Sequence, residues 1–175
     1  IPELVEAGID SFKVEGRMKT QLYVAVVARA YRKAIDDYFT DPELYRKNIP
    51  LYKEEIAKCT YREFTTGFYF GKPGSDAQIY ENNTYKKNYI FLGCVHEVRG
   101  SSVLIEQKNK FCVGDTIEVL KPDCTGMSVR VISIRDAETL EEQESCPHSK
   151  QQLLIELDNV PEEGDILAVK NPDES

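Results

Sequence analysis

The sequence predicts an α+β protein, in which a helical N-terminal segment is followed by a small antiparallel β-barrel of about six strands. Apolar residues recur at helical spacing between residues 20 and 38. From Tyr89 onwards the apolar residues alternate with period two, in short runs separated by Gly, Pro and Asp turn signals. This change of period places a domain boundary near residue 85, dividing the chain into residues 1–84 and 85–175.

The N-terminal segment reads as helix, strand and helix. Residues 2–8 are predicted as the end of a helix closed by a glycine cap. Residues 11–15 alternate and are predicted as one short strand, which is broken by Gly16. Helix, strand and helix in this order form a βα-type unit, and one strand without a sheet to join is not a domain by itself.

The segment from 20 to 38 is the clearest helix, with Thr20 as its N-cap. Its arginines, lysine and acidic residues are predicted to be solvated. The side chains expected to form its buried face are Val24, Val27, Tyr31, Ala34, Ile35 and Tyr38. A second helix is predicted to begin at Asp41, to be interrupted at Pro50 and to resume as far as about Cys59.

The C-terminal module is predicted to contain six short strands, with a long polar loop between residues 138 and 150. The predicted strands are residues 89–98, 102–107, 116–120, 127–134, 151–157 and 166–169. Segments 111–119 and 160–169 share a hydrophobic anchor, a Gly-Asp turn and a following strand. This layout resembles a turn in the second domain of translation elongation factors, and the interpretation is structural, because Gly supplies unusual backbone angles and Asp caps the turn.

Charge and cysteine content restrict the function. Residues 85–175 carry 10 Lys/Arg and 17 Asp/Glu, a net charge of −7, which argues against non-specific nucleic-acid binding by this module. The five cysteines are an odd number without a Cys-x-x-Cys pair, as expected for reduced thiols in a cytoplasmic protein without a metal site of its own. The longest apolar run is too short to cross a membrane, and the sequence shows no charged and apolar leader.

Two blocks carry a resemblance to a known family. The first comprises residues 4–19, and it continues through residues 23–25 and 31–36. The second comprises residues 61–69. Both resemble hallmark segments of the collagenase-like peptidases, the "U-thirty-two" family. The resemblance implies that the chain is the C-terminal part of a longer bacterial-type protein: the last strand and helix of a modified (βα)8 catalytic barrel of the TIM type, followed by an accessory β-barrel.

The resemblance also implies a choice of activities for the parent protein. Members of the family carry protease names, while several bacterial members take part in hydroxylation of transfer or ribosomal RNA or in oxygen-independent ubiquinone synthesis. Those members hold an iron–sulfur cluster on four upstream cysteines, so this fragment is expected to contain no cofactor. No cysteine of this chain matches a cluster ligand.

The candidate site residues at the end of the predicted strand are Lys13, Glu15, Arg17 and Lys19. Active sites of such barrels lie at the C-terminal ends of the strands. Under the functional interpretation, Arg17 and Lys19 hold a phosphate or carboxylate near a helix N-terminus. Under the structural alternative, Lys13 and Glu15 form an ion pair and Arg17 binds a neighbouring carbonyl; if this strand face points into the barrel, the pair is buried.

A second candidate set is Arg62, Thr65 and Thr66. The functional interpretation is a loop that reaches back to the mouth of the barrel. The favoured interpretation is a packed aromatic connector, with Phe64, Phe68, Tyr69 and Phe70 as core.

Three hypotheses remain for function: a parent that modifies RNA, a parent that is a genuine peptidase, and a β-barrel that serves as a protein-interaction module. The fragment alone is expected to be inactive, since it lacks a Gly-x-Ser-x-Gly elbow and a His-Glu-x-x-His motif. The expected partners are the chain's own catalytic barrel, tRNA or rRNA through the full-length protein, and a second copy through the 20–38 helix. That helix docks on the small barrel in the alternative arrangement, and no membrane is expected as a partner.

Overall fold

The computed structural model describes residues 1–60, 65–75 and 87–172. The helices are α1 (Pro2–Glu6), α2 (Gln21–Thr40) and α3 (Pro42–Ile56). The strands are β1 (Tyr89–Arg99), β2 (Ser102–Glu106), β3 (Thr116–Leu120), β4 (Gly126–Asp136), β5 (Glu142–Gln143), β6 (Gln152–Leu157) and β7 (Ile166–Lys170). The predicted boundary near residue 85 lies outside the described residues.

Side-chain caps lie at the N-termini of both long helices, at the residues that the sequence predicts. The hydroxyl of Thr20 accepts a hydrogen bond from the backbone N–H of Tyr23, and a carboxylate oxygen of Asp41 accepts one from the N–H of Glu43. Gly8 follows α1 with a φ of +77°, a left-handed conformation that favours glycine. These features confirm the predicted N-caps of α2 and α3 and the predicted glycine after α1.

Helix α3 corrects one prediction, because it runs without interruption through Pro50. Its packing against α2 compensates for the backbone hydrogen bond that proline cannot donate. The Tyr52 hydroxyl donates to Asp37 at 2.6 Å, and the side-chain amide of Asn48 donates to the same carboxylate at 2.8 Å. Pro50 itself lies on the exposed side of the helix.

The buried face of α2 differs from the predicted one. Val24 and Tyr31 are exposed, whereas Arg29 and Asp37, predicted to be solvated, are buried. The prediction was wrong here because both polar side chains find partners on other elements, and paired charges can be buried. The buried residues of α2 are Leu22, Val26, Val27, Arg29, Ala30, Ala34 and Asp37.

Residues 11–15 form no strand in the described structure. A strand needs a neighbour to satisfy its backbone N–H and C=O groups, and no other described segment pairs with these residues. The predicted short strand is therefore corrected to an irregular segment, which places Lys13 and Glu15 on the surface.

The six predicted strands close into a ring. All their pairings are antiparallel, in the order β3-β7-β1-β2-β6-β4, and a β3–β4 pairing completes the circle. The short β5 adds a seventh strand beside β4. Alternate residues point inward and form one core with fully buried members such as Leu92, Ile105, Ile117, Ile155 and Leu167. This ring confirms the predicted antiparallel barrel.

Both Gly-Asp turns adopt the same structure. Gly114 donates its N–H to Val131 and Asp115 accepts from the N–H of that valine, at 2.8 and 2.9 Å. Gly164 and Asp165 make the same two bonds with Val95, at 2.9 Å each. The two glycines have φ values of +90° and +89°. The repeated sequence pattern therefore encodes a repeated turn with the same two backbone hydrogen bonds, and its role is structural, as predicted.

The helices dock on the outside of the barrel. A shared apolar cluster joins Leu22, Val26 and Val27 of α2 to barrel residues. The other fully buried members of this docking cluster are Cys59, Leu120, Ile166 and Ala168. Burial of one such Val or Leu side chain is worth about 1.5–3 kcal/mol. The docking is the alternative to dimerisation that the sequence left open, and the homodimer through residues 20–38 stays a prediction.

A line of charges reinforces this docking. Arg29 forms a buried ion pair with Glu55 and donates to the backbone carbonyl of Lys121 at 2.9 Å. Lys58 lies 3.0 Å from Glu55 and 3.5 Å from Glu118, and the Tyr89 hydroxyl donates to Glu118 at 2.9 Å. Hydrogen bonding to that carboxylate and burial both raise the pKa of Tyr89, with burial the larger cause. The contacts link α2 and α3 to the barrel.

Candidate anion-binding site

The candidate site lies where an irregular segment enters α2. The backbone N–H of Lys19 donates to the carbonyl of Gly16 at 2.9 Å, which closes a tight turn. Thr20 then caps the helix. The turn thus presents Arg17 and Lys19, both exposed, at the N-terminal end of a 20-residue helix.

Glu15 and Tyr23 hold this turn from opposite sides. The backbone N–H of Arg17 donates to a carboxylate oxygen of Glu15 at 3.0 Å. The ammonium of Lys19 lies over the Tyr23 ring, 5.3 Å from its centroid, in a cation–π contact. Burial, and then the nearby Cys59, raise the pKa of the Tyr23 phenol.

An open groove of about 770 Å³ runs beside the turn. Its floor is mainly apolar and includes Val14, Val24 and Val27, while Arg17 and Lys19 supply positive charge at one end. Such a groove suits a ligand with an anionic group and an apolar or aromatic body.

Electrostatics favour an anion at this end of α2. The first turn of α2 contains no acidic residue of its own, although the carboxylate of Glu15 lies on the preceding turn. Thr20 satisfies the N–H of Tyr23, while other N–H groups of a first turn lack partners within the helix and point towards the same end. Phosphate or carboxylate binding is the chemistry that these groups can perform.

The Lys13–Glu15 pair is exposed in this chain. Its nitrogen and oxygen lie 4.0 Å apart, and the two side chains are 87% and 72% exposed. The burial considered for this pair is not observed, because no described residues cover the segment. An exposed pair of this kind contributes little to stability.

The second candidate set is spread along a surface loop. Thr65 accepts from the N–H of Gly67 at 3.3 Å, and the carbonyl of Thr66 accepts from Tyr69 at 3.1 Å. Both threonines are exposed and act on their own loop. Arg62 and Phe64 lie outside the described residues, and a role for the set stays a prediction.

The aromatic residues of this loop are the clearest correction. Phe68, Tyr69 and Phe70 are 77%, 63% and 80% exposed, so they form no packed connector among the described residues. Their sequence contained a signal that was missed: three successive aromatics between glycines point in different directions, and one core cannot bury all three.

The described residues contain no side-chain arrangement typical of a hydrolytic or metal site. His96 and His148 are exposed, and neither side chain hydrogen-bonds a serine or cysteine in residues 1–60, 65–75 and 87–172. The five cysteines are free thiols, and no group of three or more potential metal ligands occurs within the same residues. The thiols therefore do not fit an iron–sulfur cluster; a cluster upstream stays a prediction.

None of the helices in the described part of the chain is long and apolar enough to cross a membrane.

A ring-shaped antiparallel barrel behind a docked helical pair defines an α+β protein with a surface site at a helix N-terminus. The model for peptidase family U32 matches residues 1–79, and the model for the C-terminal domain of peptidase family U32 matches residues 87–168. Together the two matches span most of the sequence, and the chain belongs to peptidase family U32.

Two relatives illustrate the range of names in this family. The chain is 37% identical over 163 residues to tRNA hydroxylation protein P1 of Bacillus subtilis, which covers 90% of this chain and 37% of that protein. It is 28% identical over 135 residues to a collagenase of Porphyromonas gingivalis, covering 75% of this chain and 37% of the relative. The chain thus spans little more than a third of either relative.

A solved structure is similar at the C-terminal end. The C-terminal domain of a protein described as a U32 peptidase from Geobacillus thermoleovorans matches with a TM-score of 0.41 and 20% identity. The match covers 46% of this chain and 91% of that structure.

Proposed function

We propose that this chain is the C-terminal part of an RNA-hydroxylating protein, and that its cationic turn at residues 16–19 binds a phosphate of the RNA substrate. The observation that carries the proposal is the pair of exposed cations Arg17 and Lys19 at the N-terminus of α2, beside an open groove. The name of the Bacillus subtilis relative supports RNA as the source of the anion.

In this proposal the described residues bind the substrate, and the upstream part of the protein carries out the reaction. They offer cationic and aromatic groups but no nucleophile with an adjacent base, so the reacting groups belong to the part that the longer relatives possess. An iron–sulfur cluster is proposed for that upstream part. Exposed apolar residues such as Ile9 and Val14 support a contact between residues 9–16 and the rest of a catalytic barrel.

The β-barrel acts as a rigid support in this proposal. Its net charge of −7 over residues 85–175 opposes close approach of RNA phosphates over most of its surface. The docking cluster and the hydrogen bond from Arg29 to the carbonyl of Lys121 instead fix α2 on the barrel. The orientation of the cationic turn is thereby set by a folded module.

A peptidase is the second candidate, favoured by the collagenase-named relative. The same turn would then bind a carboxylate of a peptide substrate. An RNA substrate presents many backbone phosphates, whereas a peptide substrate presents a carboxylate at this turn. The two candidates therefore predict different salt dependence of binding.

Binding of bulk tRNA to the 175-residue chain at several salt concentrations tests the proposal. Each phosphate contact contributes about 0.7–0.9 to the slope of log K against log salt, so the double variant R17A/K19A should lower the slope by about 1.5. The control R99A/R135A removes the same charge from exposed arginines on the barrel and should leave the slope close to that of wild type. Equal slopes for both double variants would contradict the proposal.

A further inference from the structure

The loop from residue 65 to residue 74 presents three successive aromatic rings to solvent. Phe68, Tyr69 and Phe70 each expose more than half of their surface. An aromatic side chain buries a large area when it has a partner, so three exposed rings in a row leave much apolar surface unused in the described structure. This surface is outside the cationic turn and the docking cluster.

Glycine-dependent turns shape the loop. Gly67 and Gly71 have φ values of +54° and +121°, which side-chain-bearing residues rarely adopt. The N–H of Tyr69 donates to Thr66, and the N–H of Gly71 donates to Phe68 at 3.2 Å. The Tyr69 and Phe70 rings meet edge to face with centroids 5.1 Å apart, and both rings remain largely exposed.

Charge selects among the surfaces that could cover these rings. Lys72 is the one charged side chain in the sequence of residues 65–75, so the loop is locally positive in a chain with a net charge of −8. Aromatic faces beside a cation are the combination that binds unpaired bases together with their phosphates. RNA bases fit this chemistry because each offers a flat face and a nearby negative charge.

We propose that Phe68, Tyr69 and Phe70 form a stacking platform for unpaired bases of RNA, with Lys72 next to the phosphate backbone. The proposal rests on the proposed function and adds the form in which the substrate is recognised: single-stranded, as in a loop, rather than paired. A duplex hides its base faces, so it cannot use the platform.

The test measures binding of a 12-nucleotide single-stranded RNA and of the corresponding duplex to the 175-residue chain by fluorescence anisotropy. Loss of stacking costs about 1–3 kcal/mol per base, so the variant F68A/F70A should bind the single strand at least about tenfold more weakly. F39A is the matched control, since Phe39 is an exposed aromatic on α2 and should change affinity less than about twofold.

Circular dichroism and thermal unfolding of F68A/F70A should match wild type, because both rings are largely exposed and the contact of Phe70 with Tyr69 lies within the same surface loop. The inference is overturned if F68A/F70A and F39A weaken binding equally, if the duplex binds as tightly as the single strand, or if wild type binds neither RNA. Another outcome is that the wild-type chain binds anionic lipid vesicles but no RNA, with vesicle binding lost in F68A/F70A. That result would identify a membrane surface as the ligand and would also overturn the inference. Loss of binding in R17A/K19A but not in F68A/F70A would reject the platform while supporting the proposed phosphate site.

Discussion

At the scale of single residues, the most consequential feature is the buried ion pair between Arg29 and Glu55. Both side chains are more than nine-tenths buried, and Arg29 also reaches the backbone of Lys121 in the barrel. Removal of the Glu55 carboxylate leaves the Arg29 charge buried with the carbonyl of Lys121 as its acceptor but without a counter-charge on Glu55, which is far more costly than loss of an exposed pair. The pair therefore makes the docking of α2 sensitive to a single substitution.

We predict that E55Q lowers the free energy of unfolding by about 3–5 kcal/mol, because the guanidinium of Arg29 loses its counter-charge in a buried site. D36N is the matched control: it removes the partner of Arg32 in an exposed i,i+4 pair on α2, and should cost much less than E55Q. Urea denaturation of both variants measures the difference. Equal losses would show that the Arg29–Glu55 pair is not the structural link described above.

At the scale of elements, Asp136 at the end of β4 organises the turn towards β5. Its carboxylate accepts from the side chain of Gln151 at 2.8 Å and from the backbone N–H groups of Glu138 and Thr139 at 2.9 Å each. These hydrogen bonds, with that from Gln151 the largest cause, lower the pKa of Asp136 to about 2. The ionised form is thus favoured in the folded chain.

This pKa predicts a defined pH dependence. A carboxyl whose pKa is lower in the folded than in the unfolded state stabilises the fold above the unfolded value of about 4, and the contribution is lost as pH falls towards 2. The loss of unfolding free energy caused by D136N should therefore be full at pH 7 and shrink between pH 4 and 2. Urea titrations at several pH values test this, with E138Q at an exposed neighbour as control. A difference that is constant with pH would contradict the assignment.

The sequence predicted most elements and fewer of the contacts between them. The six strands of the barrel were predictable because alternation and Gly-Asp turns are local signals. The continuous α3 was not, because the contacts of Tyr52 and Asn48 with Asp37 outweigh the local effect of Pro50. Burial of Arg29 could not be predicted either, since its partner Glu55 lies 26 positions away.

Part of the candidate site was likewise predictable from local sequence, and part was not. The cap at Thr20 and the cationic residues Arg17 and Lys19 follow from the local sequence, and the structure brings them together at the start of α2. Composition predicts a core position for Phe68 and its neighbours, whereas the run of three aromatics between glycines is the local signal for the exposed loop that the structure has.

At the scale of the whole molecule, α2 joins two regions with different roles. One side of the helix packs on the barrel through Leu22, Val26 and Val27, and its N-terminus carries the cationic turn. Because the chain spans 37% of the Bacillus subtilis relative, the reaction itself is proposed to take place in the part of the parent protein that this chain does not include.

We propose that this chain serves RNA hydroxylation, and a chimeric protein provides the test. The matching region of tRNA hydroxylation protein P1 would be replaced by this chain and expressed in a Bacillus subtilis strain without hydroxylated tRNA nucleosides of its own. Mass spectrometry of nucleosides from total tRNA should detect hydroxylated nucleosides with the chimera, and at least about tenfold less with R17A/K19A. A stable, folded chimera that restores no hydroxylation, or an R17A/K19A chimera as active as the parent chimera, would contradict the account.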